Sequence, residues 1–566
     1  MRGTISISPP LALHSAASRP TTTRHCLLLR SCPLYPQNST ATMQESPVRL
    51  LSFDTLCPIF ELAVGAGKTP EETTEIPLTL SQVCTTWRQS ALRHAPLWTS
   101  VLLDAYGDRS LERATEFLSR SRTLPVCFTL DVRGVPDVSP SLKAPVGFLA
   151  PYAHRLRTLR VRGATTAPPV HQFLRYLDFT LADLKEFEII WGKPTTRPAR
   201  CFPVILQNQI PASLLPYYLN LSPHDKFTNL TRFALKTFDH RLEIKLDQVL
   251  EILGGNPKLE SLELQGFYFD YEDDEFYHDD DQETEKLIPQ LPHLRFLSLK
   301  RCLSGAFLPR INVPPTTNVV LAANDPWLDD GGFDDDTPSI IYALPPNFYE
   351  LSFIVNFQNV DFEIQDSGIT LRFSQPGGHY LLIEQVPDPD DILNNTTIEE
   401  IALASVTCFV TNAFGPVKTL RAINRLSESK RRILRDADPR ETRAWLSPLS
   451  HLEKVEISYF PLNFLEGFSG DKDRQELPMA AKDVTLTLYS DDIGDFAELM
   501  AWVKARVEAR LSFEKLEIAL DCSVTPPADE KFVDSLRSSL AEYIQDVVVK
   551  VLHSPREDGP PGSLDV

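Results

Sequence analysis

The six residues VGAGKT, Val64–Thr69, carry the glycines, lysine and hydroxyl of a loop that wraps phosphate. In such a loop the small residues let backbone N–H groups close around the phosphates. The lysine and hydroxyl then reach the outer phosphate and its metal. Here the match is partial. The full motif needs a glycine five residues before Gly67, where Leu62 stands, with a strand ahead of the loop and a helix after it. The apolar spacing ahead is helical and Pro70 follows, so nucleotide binding is not expected.

Other reactive side chains are plentiful but scattered. The nine cysteines are Cys26, Cys32, Cys57, Cys84, Cys127, Cys201, Cys302, Cys408 and Cys522. Their odd number and lack of any Cys-x-x-Cys pair point to neither a disulfide framework nor a zinc site. Reduced thiols fit the cytoplasm or nucleus, where the sequon Asn229-Leu230-Thr231 has no meaning. Two acidic runs, Asp270–Glu285 and Asp325–Asp336, lack the spacing of a calcium loop and read as solvated or disordered loops. No Gly-x-Ser-x-Gly or His-Glu-x-x-His signature occurs. No cofactor or metal is expected and the chain reads as non-enzymatic. An enzyme of undetected class stays open, because catalytic residues can lie far apart in sequence.

Charge narrows the partners. The 566 residues carry a formal net charge of −20, a field that repels phosphate backbones and anionic lipid. Neither nucleic acid nor membrane is an expected partner, and no run approaches the ~20 apolar residues of a spanning helix. The length exceeds one typical domain and implies several domains or a repeat array. Residues 1–45 read as a disordered or low-complexity tail. They are basic and rich in Ser, Thr and Pro, with a transit segment or a later start at Met43 as alternatives. Residues 553–566 read as a second disordered tail.

The elements that must position any site begin near Pro47. Leu56, Ile59, Phe60 and Val64 recur at helical spacing within Leu50–Val64. Gly65–Pro77 reads as a polar loop. Leu80, Val83, Cys84, Trp87 and Ala91 mark a second helix ended by Pro96. Leu111, Ala114, Phe117 and Leu118 mark a third, and Val126, Phe128, Leu130 and Val132 alternate as a strand.

Beyond that point one pattern returns: apolar, two residues, apolar, one residue, apolar. NPKLESLEL (Asn256–Leu264), LPHLRFLSL (Leu291–Leu299) and LSHLEKVEI (Leu449–Ile457) share most. Looser copies are HRLRTLRV (His154–Val161), LADLKEFEI (Leu181–Ile189), FTNLTRFAL (Phe227–Leu235), TTIEEIAL (Thr396–Leu403) and LSFEKLEI (Leu511–Ile518). A three-point match arises by chance about once in 25 positions, so the flanks carry more weight. Val249, Leu250, Ile252 and Leu253 read as a helix with a left-handed stop at Gly254-Gly255. From Asp483 to Leu552 the order is strand, helix, strand, helix, strand, with Phe496, Met500, Val503 and Val507 on one helix face. That alternation predicts parallel strands with helices outside. The spacing of copies predicts an irregular solenoid.

Three pieces of the N-terminal stretch then fall into line: LSFDTLCPIF (Leu51–Phe60), VCTTWR (Val83–Arg88) and PLW (Pro96–Trp98). Together they resemble an F-box, over about 85 residues if the following FLSRSRTLPVCFTL (Phe117–Leu130) is included. That last segment is similar to one in many fungal F-box proteins. Ser52 and Asp54 replace the usual Pro and Glu. Pro58 would weaken a helix starting at Ser52 but not one starting near Thr55. The region after the F-box resembles the leucine-rich receptor regions of that family only loosely.

The expected fold is therefore α/β: a small three-helix F-box over residues 46–104, then an irregular leucine-rich-repeat-like solenoid over 105–552. The resemblance implies a Skp-type adaptor as partner and, through it, a cullin–RING ubiquitin ligase. The chain would be the substrate receptor, holding an unknown target protein on its C-terminal region. The adaptor-binding residues implied are Leu51, Leu56, Ile59, Phe60, Val83, Trp87, Pro96, Leu97 and Trp98. A scaffold that keeps F-box helices without recruiting a ligase is the alternative.

Overall fold

A computed structural model describes residues 51–105, 107, 109–133, 142–163, 176–177, 179–191, 217–219, 227–237, 242–270, 288–300, 302, 304–323, 351–354, 357–365, 368–385, 417–426, 451–460, 465, 481–489, 497–508, 513–521 and 530–552. The tails 1–45 and 553–566, the copy Thr396–Leu403 and the acidic runs 271–285 and 325–336 lie outside these residues, as does Phe496. Phe53–Val566 forms one compact unit.

It opens with three helices, α1 (Phe53–Gly65), α2 (Pro70–Val83) and α3 (Thr85–Arg93), and a 3-10 turn at Ala95–Trp98. Then come β1 (Ser100–Asp104), α4 (Ser110–Arg120), β2 (Val126–Val132), α5 (Lys143–Gly147), β3 (Leu156–Gly163), β4 (Glu186–Trp191), β5 (Tyr217–Leu219), β6 (Arg232–Thr237), β7 (Leu242–Lys245), α6 (Leu246–Gly254), β8 (Ser261–Gln265), β9 (Phe267–Asp270) and β10 (Phe296–Lys300). The order continues with β11 (Asn318–Ala323), β12 (Asn359–Gln365), β13 (Gly368–Ser374), β14 (Tyr380–Gln385), β15 (Thr419–Arg425), β16 (Lys454–Ser458), β17 (Asp483–Tyr489), α7 (Ala497–Glu508), β18 (Lys515–Asp521), α8 (Glu530–Ala541) and β19 (Val547–Leu552).

Among the described residues, sixteen strands form one sheet in the order β1-β2-β3-β4-β6-β8-β10-β11-β14-β13-β12-β15-β16-β17-β18-β19. Neighbours are parallel except where β13 pairs antiparallel with β12 and with β14. The molecule is thus mixed α/β with a large, mostly parallel sheet. Each described copy of the apolar pattern contains a strand, and its described apolar positions, such as Leu262 and Leu264 in β8 or Leu297 and Leu299 in β10, are buried, apart from the half-buried Phe513. The expected parallel pairing of β17, β18 and β19 is present. Two features were not foreseen: the antiparallel meander β12–β14, and a second parallel sheet, β5-β7-β9. The chain turns from β8 into β9 at Gly266, whose φ is +75 and where a Cβ would lie 2.2 Å from the Thr237 carbonyl oxygen. Only glycine fits both conditions.

Several local expectations need correction. The polar loop is short, because Thr69 caps α2: its Oγ1 accepts from the Glu72 N–H at 3.2 Å. Pro70 follows as a first-turn proline, with Glu71 and Glu72 at the positive end of the helix. The single helix expected through Val83 and Cys84 is two helices. Cys84 is extended (φ −157, ψ 174) and its Sγ accepts from the Trp87 N–H, so it closes α2 and caps α3. The helix around Leu246–Gly254 does not stop left-handed, since Gly255 has φ −73. In α7 the buried face is Leu499, Trp502, Val503 and Arg506, whereas Val507 is exposed. Arg506 sits over the Trp502 and Phe513 rings, donates to the Ala481 carbonyl at 2.8 Å, and is brought down to about 10 by burial.

Candidate functional site

Helix α1 starts at Phe53 with Asp54 in its first turn and runs through Pro58 without stopping. The proline therefore lies beyond the first turn, where its missing N–H removes one ladder bond. Tertiary contacts hold the helix. Leu56, Cys57 and Phe60 are buried, and the Phe60 ring meets Trp87 of α3 edge-on at 5.1 Å. Burial and the nearby Glu61 and Asp54 push the Cys57 thiol up, so it stays neutral packing material.

Trp98 is the largest fully buried side chain among the described residues. Its Nε1 donates to the Ala91 carbonyl at 2.8 Å, its ring meets Phe117 of α4 edge-on at 4.9 Å, and the Arg120 guanidinium lies 4.3 Å from its centroid. Charges fasten the same helices to the sheet. Glu71 of α2 pairs with Arg162 of β3 at 3.0 Å and with Arg133 at 2.7 Å, and Glu75 pairs with Arg113 of α4 at 2.8 Å. Burial works against Glu71 ionisation, but its own backbone N–H and the two arginines outweigh it and hold its carboxyl below the usual range.

The nine residues implied by the resemblance separate accordingly. Leu56, Phe60, Leu97 and Trp98 are interior groups, so in the free chain they support a surface rather than form one. Leu51 and Trp87 are half-buried, and the Trp87 Nε1 has no hydrogen-bond partner among the described residues. Ile59 (42% exposed), Val83 (55%) and Pro96 are outward. Phe53, Leu62 and Leu92, which the motif did not single out, are also outward, with Leu62 74% exposed. Ile59 and Leu62 stand one turn apart on α1. Five of the exposed large apolar side chains among the described residues, Phe53, Ile59, Leu62, Val83 and Leu92, thus lie on these three helices.

A second surface is the outward face of the large sheet. Register aligns charges of opposite sign on adjacent strands, with Arg160 of β3 beside Glu188 of β4 at 3.1 Å. Glu263 of β8 takes both Arg232 and Lys236 of β6 at 2.6 Å. Farther along, Lys300 meets Glu384 at 2.8 Å, Arg425 meets Glu363 at 2.9 Å, Arg421 meets Glu456 at 3.2 Å, and Glu517 meets Lys515 and Lys550. Burial disfavours the Glu263 carboxylate, but Lys236 and Arg232 more than offset it and keep its carboxyl low. Near the C-terminal ends of β15–β18, Tyr459 adopts φ +65. It is held there by its N–H to the Thr487 carbonyl, by Asn424 Nδ2 to its own carbonyl, and by its hydroxyl to Asp521 at 3.0 Å. Burial and Asp521 push that hydroxyl up to about 12. Apolar periodicity gave no sign of these pairings, which are set by register.

Among the described residues, no group of three or more His, Cys, Asp or Glu side chains converges as metal ligands would, and no helix is long and apolar enough to cross a membrane. The loop after α1 is followed by a helix after all, but a helix still precedes it and Leu62 still replaces the first glycine. No protein-family model matches the chain, and no curated protein shows significant similarity to it.

Proposed function

We propose that the chain is a substrate receptor of a Skp–cullin–F-box ubiquitin ligase. Helices α1–α3 dock on a Skp-type adaptor. The solenoid-like region after them holds a target protein within reach of the ubiquitin-loaded enzyme. The contribution is proximity, which raises the local concentration of target lysines, and the receptor itself makes and breaks no bond. It works in the cytoplasm or nucleus.

The observation that carries this reading is the concentration of exposed large apolar side chains on the three helices. Phe53, Ile59, Leu62, Val83 and Leu92 all lie there, next to the residues that resemble an F-box. A parallel sheet whose strand order largely follows chain order supports the repeat-like character of the rest. The test is to purify the full chain with a Skp-type adaptor at micromolar concentration. A stable complex that then co-purifies with the cullin supports the receptor. Binding neither protein leaves the scaffold reading, which is favoured by the ion pairs of Glu71 and Glu75 that tie α2 to the rest of the chain.

A further inference from the structure

A polar cleft of about 100 Å³ lies between the start of α2 and the strands β1, β2 and β3. It has room for a small polyatomic group. That suits one tetrahedral oxyanion and is well short of the roughly 300 Å³ at which small-molecule sites begin. Lys68 and Arg160 are its charged lining residues, and no carboxylate lines it. Lys68 is exposed and makes no ion pair among the described residues. Arg160 is shared with Glu188 and Glu186 and donates to Cys127 Sγ at 3.8 Å.

Thr129 supplies the independent sign of a ligand. It is 2% exposed and lines the cleft, and no hydrogen bond to a described residue engages its hydroxyl. Ser100 lines the same space, also without a side-chain partner among the described residues, and Thr69 uses its oxygen as acceptor, leaving its hydrogen free to donate. The N–H groups at the start of α2 are already engaged: Glu71 N–H on its own carboxylate, Glu72 N–H on Thr69 Oγ1 and Thr73 N–H on the Thr69 carbonyl, while Lys68 N–H, ahead of the helix, is on the Glu72 carboxylate. The helix therefore contributes through its dipole, and the direct donors are side chains.

From this geometry we infer that the cleft binds a phosphoryl oxyanion, with the Lys68 ammonium and the Thr129, Ser100 and Thr69 hydroxyls as donors and Arg160 adding charge behind them. The inference is independent of adaptor docking. Inorganic phosphate titrated into the full chain, against chloride at matched ionic strength, tests it by calorimetry and by the thermal midpoint. Phosphate is expected to bind and raise the midpoint where chloride does not. Lys68→Ala and Thr129→Val should each weaken it by about tenfold. A phosphoserine peptide that binds tighter than inorganic phosphate, with its unphosphorylated form inert, identifies a modified protein as the source; equal or weaker binding identifies the free ion. No phosphate-specific effect in the unaltered chain overturns the site, as does unchanged affinity in both variants. If Thr129→Val fails to fold, unchanged affinity in Lys68→Ala, an exposed substitution, overturns it alone.

Discussion

The Asn256 side-chain oxygen accepts the Leu230 backbone N–H at 2.6 Å, across 26 residues of chain. The same amide donates to the Phe227 and Ile252 carbonyls, each at 2.6 Å, and Asn256 is fully buried. One side chain thus closes α6, anchors the approach to β6 and sets the start of β8.

Replacing Asn256 by Ala should therefore be severe. It strands a buried N–H and two carbonyls, and one such group commonly costs about 1–3 kcal/mol. A loss of about 3 kcal/mol is expected, read as a lower denaturant midpoint with unchanged slope. A loss below about 0.5 kcal/mol would show that water replaces the amide freely.

Glu263 predicts a pH dependence. Its folded carboxyl lies below the ordinary Glu range, so its contribution is fully present above the unfolded value of about 4.3. That contribution is lost as pH falls through the lower, folded value. Glu263→Gln should flatten this acid limb and cost about 2 kcal/mol at neutral pH by leaving Arg232 and Lys236 without their shared carboxylate. Parallel stability–pH curves for the two proteins would contradict the pairing.

At Gly266, Ala meets both a φ of +75 and the Thr237 carbonyl. The substitution should cost well over about 1 kcal/mol. Gly254, where a Cβ would meet nothing within 4 Å, is the matched control: Gly254→Ala should be near neutral by thermal melting.

Surface and interior roles separate on the first three helices. Ile59→Asp with Leu62→Asp should leave folding intact and weaken adaptor binding more than tenfold, the loss of an interface anchor worth about 2 kcal/mol. Trp98→Ala should instead cost about 3–5 kcal/mol and lower the thermal midpoint. Full adaptor affinity in the Ile59/Leu62 variant would move docking off α1.

What the sequence determined by itself was the local order of elements. Apolar spacing of three and four marked α1, α4 and α6, and alternation marked β2 and the strands within the apolar repeats, because burial of one face writes its period directly into the chain. The parallel pairing of β17, β18 and β19 was also legible, since each crossover helix leaves room for little else. Cap chemistry at Thr69 was present in the sequence but hidden behind a run of polar residues. Tertiary structure alone decided the rest. Nothing local turns β12–β14 antiparallel, shares Glu263 between Arg232 and Lys236, or leaves Thr129 unpaired in a cleft. It also decided that Phe60 and Trp98 are core while Ile59 and Leu62 face outward. A motif fixes which side chains are apolar, but which of them reach solvent depends on the elements packed against them, and those arrive from distant parts of the chain.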